Sequence, residues 1–481
     1  MPAMHKPEFP IIIQGGMGVA VSNWRLANAV SRLGQMGVVS GTALDVVLVR
    51  RLQSGDIGGH LRRAASHFPI PEVVKRVFDK YFVEGGKQLK ERFKSMPMGR
   101  LKPSRNLLDL QVLSNFIEVF LAKEGHDGMV GVNFLTKIQV PTIPSLYGAM
   151  LAGVDAVLMG AGIPKEIPGV LDKLADGKAA EIKLDVKDAD KDKPFWLRFD
   201  PAQYWNSIAP KLKRPKFFPI ISSAVLAKML SKNATGKVDG FIVEGPTAGG
   251  HNAPPRGKVQ LSDEGEPVYG ERDVADLEAI AEVGLPFWLA GGYGEPEQVV
   301  AALEAGAAGV QVGTAFAYTE ESGFSEEIKR TVIAESKHRR VTVFTDPLAS
   351  PTGFPFKVVP LPDTMSDENV YDKRERVCDL GYLRTAYRID DETVGWRCPS
   401  EPVRDYVRKG GDPSATVGRK CVCNALMASI ELGQTQKSGE PERPLVTSGD
   451  DVADVARFLE PGAESYTAAA VVAYLLRDVA D

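Results

Sequence analysis

Eight short apolar runs recur along this chain, and all but one break off at a turn rich in glycine or other small residues. That repetition constrains the fold more than any other feature. The runs are Phe9–Ile13, Gly37–Ser40, Met129–Phe134, Asp155–Met159, Phe217–Ser222, Gly240–Val243, Pro286–Ala290 and Ala308–Val312. Each is four to six residues long, the length of a buried strand and too short for a helix. Helical stretches fall between them. Ser22 reads as the N-cap of a helix over Asn23–Leu33, which Gly34 or Gly37 ends. Ser222 and Ser223 can cap Ala224–Leu230, and Pro296 opens a helix running to about Ala305. Eight strands alternating with helices predict an α/β fold, a closed parallel (β/α)8 barrel.

Two excursions interrupt the rhythm. Residues 56–127 are too long for one connection and carry helical patterning in Pro71–Tyr81 and Leu107–Lys123, so they read as a helical insertion after strand 2, a lid or wall of the site. Residues 165–216 form the second, and its charge-rich piece Asp185–Lys193 reads as a solvated loop. The division expected is a barrel over 1–345, with 56–127 inserted, and a mostly helical C-terminal extension over 346–481 that packs on the barrel. Its Ala/Val/Leu-rich end, Ser465–Leu476, reads as a helix docked on the barrel or on a second subunit.

Composition excludes several function classes. The chain has 481 residues, 44% hydrophobic and 25% charged, with a formal net charge of −4 and a pI near 6.0. That is an ordinary globular balance without the basic footprint of a nucleic-acid binder. No apolar run reaches the roughly 18 residues of a membrane span, and Met1–Lys6 lacks the apolar core of a signal peptide, so a cytoplasmic location is expected. All four cysteines, Cys378, Cys398, Cys421 and Cys423, fall in the extension. Their spacings do not match the paired C-x-x-C knuckles of zinc sites. They read as small apolar packing residues with no metal assigned, and whether they hold a metal or cluster stays open.

The candidate site gathers at the strand ends. After the sixth strand comes Glu244-Gly245-Pro246-Thr247-Ala248-Gly249-Gly250-His251, in which paired glycines allow close approach of a ligand and the histidine can take and return a proton. Gly15-Gly16-Met17-Gly18 leaves the first strand, and Asn133 ends the third with both a donor and an acceptor. Glycine turns follow the seventh strand (Gly291, Gly292) and the eighth (Gly313, Thr314), where such barrels commonly hold a phosphate on backbone N–H groups. The pattern predicts His251 overhanging a phosphorylated ligand.

Ile13-Gln14-Gly15-Gly16-Met17-Gly18, Gly131-Val132-Asn133, Gly162-Ile163-Pro164, Ala248-Gly249-Gly250-His251, Ala290-Gly291-Gly292 and Val310-Gln311-Val312-Gly313-Thr314 together resemble the nitronate monooxygenases. The resemblance runs from about Phe9 to Phe316 and implies a TIM barrel carrying FMN. It implies that His251 is the catalytic histidine. Gly16, Met17 and Gly18 would lie against the isoalloxazine, with Asn133 and Glu244 contacting or facing the flavin. Gly249, Gly250, Gly291, Gly292, Gly313 and Thr314 would contact phosphate and ribityl groups, and Ser222 joins the cofactor-binding set. The implied activity is oxidation of alkyl nitronates with O2. Flavin-dependent enoyl-acyl-carrier-protein reductases share the Ala-Gly-Gly-His signature, so an NAD(P)H-dependent enoyl-thioester reductase stands as the alternative. Glu244 and Thr247 depart from the common nitronate pattern. A flavin-binding protein without turnover is the third reading, and a homodimer is admitted by all three.

Overall fold

A computed structural model describes residues 9–479 other than 89 and 191. The reading of Met1–Lys6 lies outside the described residues. Eight parallel strands close into a barrel: β1 (Ile12–Gln14), β2 (Met36–Ser40), β3 (Val130–Leu135), β4 (Ala156–Gly160), β5 (Lys216–Ile221), β6 (Phe241–Glu244), β7 (Phe287–Ala290) and β8 (Gly309–Val312). They coincide with the eight apolar runs, in sequence order around the ring, with β8 closing on β1. The barrel is therefore the (β/α)8 type expected. Its interior is packed by side chains such as Ile13, Val38, Leu158, Phe218, Ile242 and Trp288. Phe9 plugs the floor edge-on to Trp288, whose indole N–H donates to the Pro10 carbonyl at 3.0 Å.

The helical ring needs more of the chain than the sequence suggests. Helix Arg105–Lys123 packs against both Trp24–Arg32 and Thr142–Leu151 and so is the ring helix between β2 and β3. It is almost entirely buried because a second layer, Leu44–Gln53, His60–Ala65 and Pro71–Tyr81, lies over it. The expected insertion over 56–127 thus mixes added helices with one that belongs to the ring. At the other end, Ala468–Leu476 packs against Trp24–Arg32 and Pro296–Glu304, filling the ring position after β8. Of the two dockings expected for that helix, the barrel is the one present.

Other local readings shift slightly. Asn23 is the N-cap of the first helix, accepting from the Arg25 and Leu26 amides, while Ser22 turns inward to accept from the Met17 amide at 2.8 Å. Ser223 caps Ala224–Asn233 as anticipated. Excursion 165–216 holds an antiparallel pair, Ala180–Leu184 with Phe195–Phe199. Within its charged piece, Val186–Lys187 pairs with Ala386–Tyr387 of the extension, so that piece is partly ordered by strand pairing instead of being a solvated loop throughout. The extension is mostly irregular rather than mostly helical. It carries two small antiparallel pairs, β9 (Phe344–Asp346) with β10 (Phe356–Val358) and β11 (Thr385–Arg388) with β12 (Val394–Arg397). None of the helices described is long and apolar enough to cross a membrane.

Candidate active site

Barrel register brings the carboxyl ends of the strands to one level. Glu244 is opposite Ala290, Ala290 opposite Gln311, and Asn133 opposite Leu158. Side chains at these ends face a cleft of about 1630 Å³ counted out to its open mouth, a size ample for a cofactor together with a substrate. Gly16, Met17, Gly18, Asn133, Glu244, Gly249, Gly250, His251, Gly291, Gly292, Gly313 and Thr314 all line it. Ser222 is not among the lining residues. It follows β5, and its carbonyl accepts from the Arg256 guanidinium at 2.7 Å.

The glycines are required for different reasons. Gly291 and Gly292 have φ of +90° and +79°, left-handed values that a side chain resists, and they turn the chain at the rim of β7. At Gly16 a Cβ would fall 2.3 Å from the Asn133 Cβ, so the missing side chain makes room for the asparagine. A Cβ at Gly249 would stand 2.7 Å from the Gly449 nitrogen. That glycine admits a segment of the extension that the sequence reading left out.

Thr447-Ser448-Gly449 lies as a strap across the far end of the cleft. Thr447 Oγ1 accepts from the Gly250 amide at 3.1 Å, and Thr314 Oγ1 accepts from the Gly449 amide at 2.9 Å. The Asp450 amide donates to the Thr247 carbonyl at 3.1 Å. Next along, Asp451 lines the cleft while its carboxylate pairs with Arg457 at 2.8 Å, and Arg457 also donates to the Gly294 carbonyl. The extension further supplies Phe356, Tyr382, Leu383 and Cys423 to the wall. No local signal marked these residues.

His251 is held by the extension as well. A single bridge pairs its backbone with Phe356, whose ring lies 4.7 Å from the imidazole. Nε2 is 2.7 Å from Ser350 Oγ, and that hydroxyl is 2.9 Å from Thr352 Oγ1. Burial, and secondarily the positive charge of Lys137, pushes the imidazole down to about 4, so it is neutral at pH 7. Burial pushes Glu244 the other way, up to about 7. Two groups with ordinary values on either side of 5 therefore exchange order, as acid–base sites often do. Two amide oxygens in the wall, Asn133 Oδ1 and Gln311 Oε1, are buried with no hydrogen-bond partner. Orphaned acceptors of this kind are what a ring N–H would satisfy.

The family model described as nitronate monooxygenase matches residues 198–350. A "(3aS,4S,5R,7aS)-5-hydroxy-7a-methyl-1-oxo-octahydro-1H-indene-4-carboxyl-CoA dehydrogenase" of Mycobacterium tuberculosis is 30% identical over 199 residues, 38% of this chain and 53% of that protein. A "probable nitronate monooxygenase" of Staphylococcus haemolyticus is 31% identical over 129 residues, 27% of this chain and 34% of the relative. The chain thus spans about half the length of the first relative and about a third of the second. Among solved structures, FabK from Thermotoga maritima aligns with 97% of this chain and 92% of its own at 16% identity and a TM-score of 0.46. A nitroalkane oxidase from Streptomyces ansochromogenes aligns with 98% and 95% at 15% identity and a TM-score of 0.45. Residues 198–350, which the nitronate monooxygenase model matches, carry β5 to β8 and the Ala-Gly-Gly-His turn.

Proposed function

We propose that the chain is an FMN-dependent oxidoreductase that oxidises alkyl nitronates, with O2 as the final electron acceptor. The observation that carries this reading is a neutral, Ser350-tethered imidazole in the same cleft as a set of glycine turns and unpartnered amide groups. The residues present fit FMN. Amides at Gly291, Gly292 and Gly313, with the Thr314 hydroxyl and the Ser448 amide, suit a phosphate. Asn133 and Gln311 offer unfilled acceptors to a ring edge, and Gly16-Met17-Gly18 offers backbone without bulk. When bound, the flavin supplies a two-electron acceptor that O2 can regenerate.

The chain's own share is positioning and proton handling. A neutral imidazole can accept the α-proton of a nitroalkane, and Ser350 with Thr352 fixes which ring nitrogen faces the cleft. Lys137, which acts electrostatically on His251, favours an anion beside it and opposes a second positive charge on the ring. Strap and Phe356 close the far side and exclude water.

A second reading is favoured by a specific feature. A cavity of about 1090 Å³ adjoins the cleft, sharing Ile138, Tyr382 and Leu383, and is lined by Met96, Met98, Leu184 and Trp396 with Lys137 and Arg384 at its edge. Apolar length with basic groups suits an acyl thioester, the substrate type in the name of the mycobacterial relative. Anaerobic stopped-flow reduction of the bound flavin separates the two. Bleaching by ethylnitronate, already deprotonated, in both wild type and His251→Asn, with bleaching by nitroethane slowed at least about 100-fold in the variant as loss of a general base should do, supports the nitronate reading. Bleaching by NADPH, with none by ethylnitronate, replaces it with the thioester one.

A further inference from the structure

Behind one wall of the cleft the extension assembles all of its cysteines. Cys378 precedes β11, Cys398 follows β12, and Cys421 and Cys423 flank the start of helix Val422–Ala428, yet all four line one small cavity. These are every cysteine in the chain, and none is in a disulfide. Thiols serving only as small packing residues have no reason to gather at one place. Here all four converge from three separate segments, with Cys378 and Cys398 within hydrogen-bonding distance of each other.

Charge points the same way. The Arg384 guanidinium acts on Cys378, Cys398 and Cys423, and its hydrogen bonds go to the Gly381 and Gly99 carbonyls rather than to a carboxylate. Arg374, paired with Glu442, lies near Cys421. The carboxylate acting on Arg384, Glu401, is itself paired with Lys409 at 2.6 Å, so a negative group in the cavity would add to the guanidinium's balance. A single metal ion is a poor match, since among the described residues no three His, Cys, Asp or Glu side chains converge on one ion position. A polynuclear cluster places its ligand sulfurs around a body several atoms wide, and four cysteine thiolates are its usual ligand set.

We propose that Cys378, Cys398, Cys421 and Cys423 ligate a [4Fe–4S] cluster beside the main cleft. Assembly of the 2+ core takes two ferric and two ferrous ions with four inorganic sulfides, and each thiol releases its proton to solvent as its sulfur bonds iron. Leu383, Val422 and Cys423 line both the cysteine cavity and the cleft, so one layer of side chains separates the two sites.

The test is metal analysis of the full chain, purified anaerobically and incubated with equal amounts of ferrous and ferric iron and with sulfide. About four iron and four sulfide per chain are expected, with a low-temperature electron paramagnetic resonance signal after dithionite. Cys398→Ser and Cys421→Ser should each lose at least half of the iron while keeping wild-type circular dichroism. Less than about one iron per chain in the wild type would overturn the proposal, as would one tightly held zinc in place of iron. An intact mass showing an internal disulfide in anaerobic protein, or iron undiminished in the double serine variant, would also overturn it. Iron content is read independently of substrate, so this outcome and the flavin-reduction outcome fail separately.

Discussion

At His251 and Glu244 the same cause, burial, has opposite electrostatic consequences. The histidine is pushed from 6.5 to about 4, so the unfolded chain binds a proton that the folded chain refuses between those values. Folding stability from this group is present above 6.5 and lost as pH falls toward 4. Glu244 is pushed from 4.5 to about 7, so the folded chain keeps a proton that the unfolded one releases, and stability falls as pH rises through that window. Each shift corresponds to an upper bound on the order of 3 kcal/mol, and the two slopes oppose one another between about 4.5 and 6.5. Single variants should therefore uncover what the wild type hides. In flavin-free protein, Glu244→Gln should leave a stability that rises with pH from 4.5 to 6.5, and His251→Asn one that falls. Urea unfolding at four pH values between 4.5 and 7.5 measures this, and parallel profiles for the two variants would show that neither carboxyl nor imidazole is perturbed as described.

At the scale of elements, the strap Thr447–Gly449 is the part of the cleft that the sequence did not announce. Glycine turns after β7 and β8 were legible because they lie next to apolar strands, a local signal. Gly249 was legible as a glycine but not for its reason, since the group it accommodates is nearly two hundred residues away in the chain. Ser350, Phe356 and Tyr382 escaped for the same cause: a hydroxyl or ring in an irregular segment, or at the start of a three-residue strand, has no periodicity to read. Gly449 gives a direct test. Its φ of −82° suits any residue, so the penalty of a side chain there is steric alone. A Cβ would meet Thr314 Oγ1 at 2.8 Å and the Thr247 carbonyl oxygen at 2.9 Å. Gly449→Ala should lift the strap from Thr314, destabilise by about 1–3 kcal/mol and weaken FMN retention by about tenfold or more, a loss of about 1.4 kcal/mol. Fluorescence titration of FMN into the flavin-free variant and wild type reads it. Equal affinities would remove the strap from the phosphate end.

Across the whole molecule, the barrel is completed by the two parts of the chain that interrupted or followed its rhythm. Eight strands were readable from apolar runs alone, but ring membership was not, because a ring helix and an inserted helix share the same amphipathic period. Arg105–Lys123 was absorbed into the insertion for that reason, although it is the helix against which Thr142–Leu151 packs. The eighth ring position shows the point at its extreme. After β8 the chain makes a short turn of helix, Thr314–Ala317, wanders through the extension and returns only at Ala468–Leu476. Barrel and extension should accordingly unfold together, with the last helix as a shared keystone of the apolar contacts. Val471 and Leu475 are fully buried on it, whereas Ala473 is on its exposed face. Leu475→Ala should cost about 2–5 kcal/mol, seen as a lower urea midpoint in one transition that also reports loss of bound flavin. Ala473→Glu should change stability by no more than about 0.5 kcal/mol. Two separate transitions in Leu475→Ala, with flavin held through the first, would mean that the extension is a dispensable appendage and that the cleft does not depend on it.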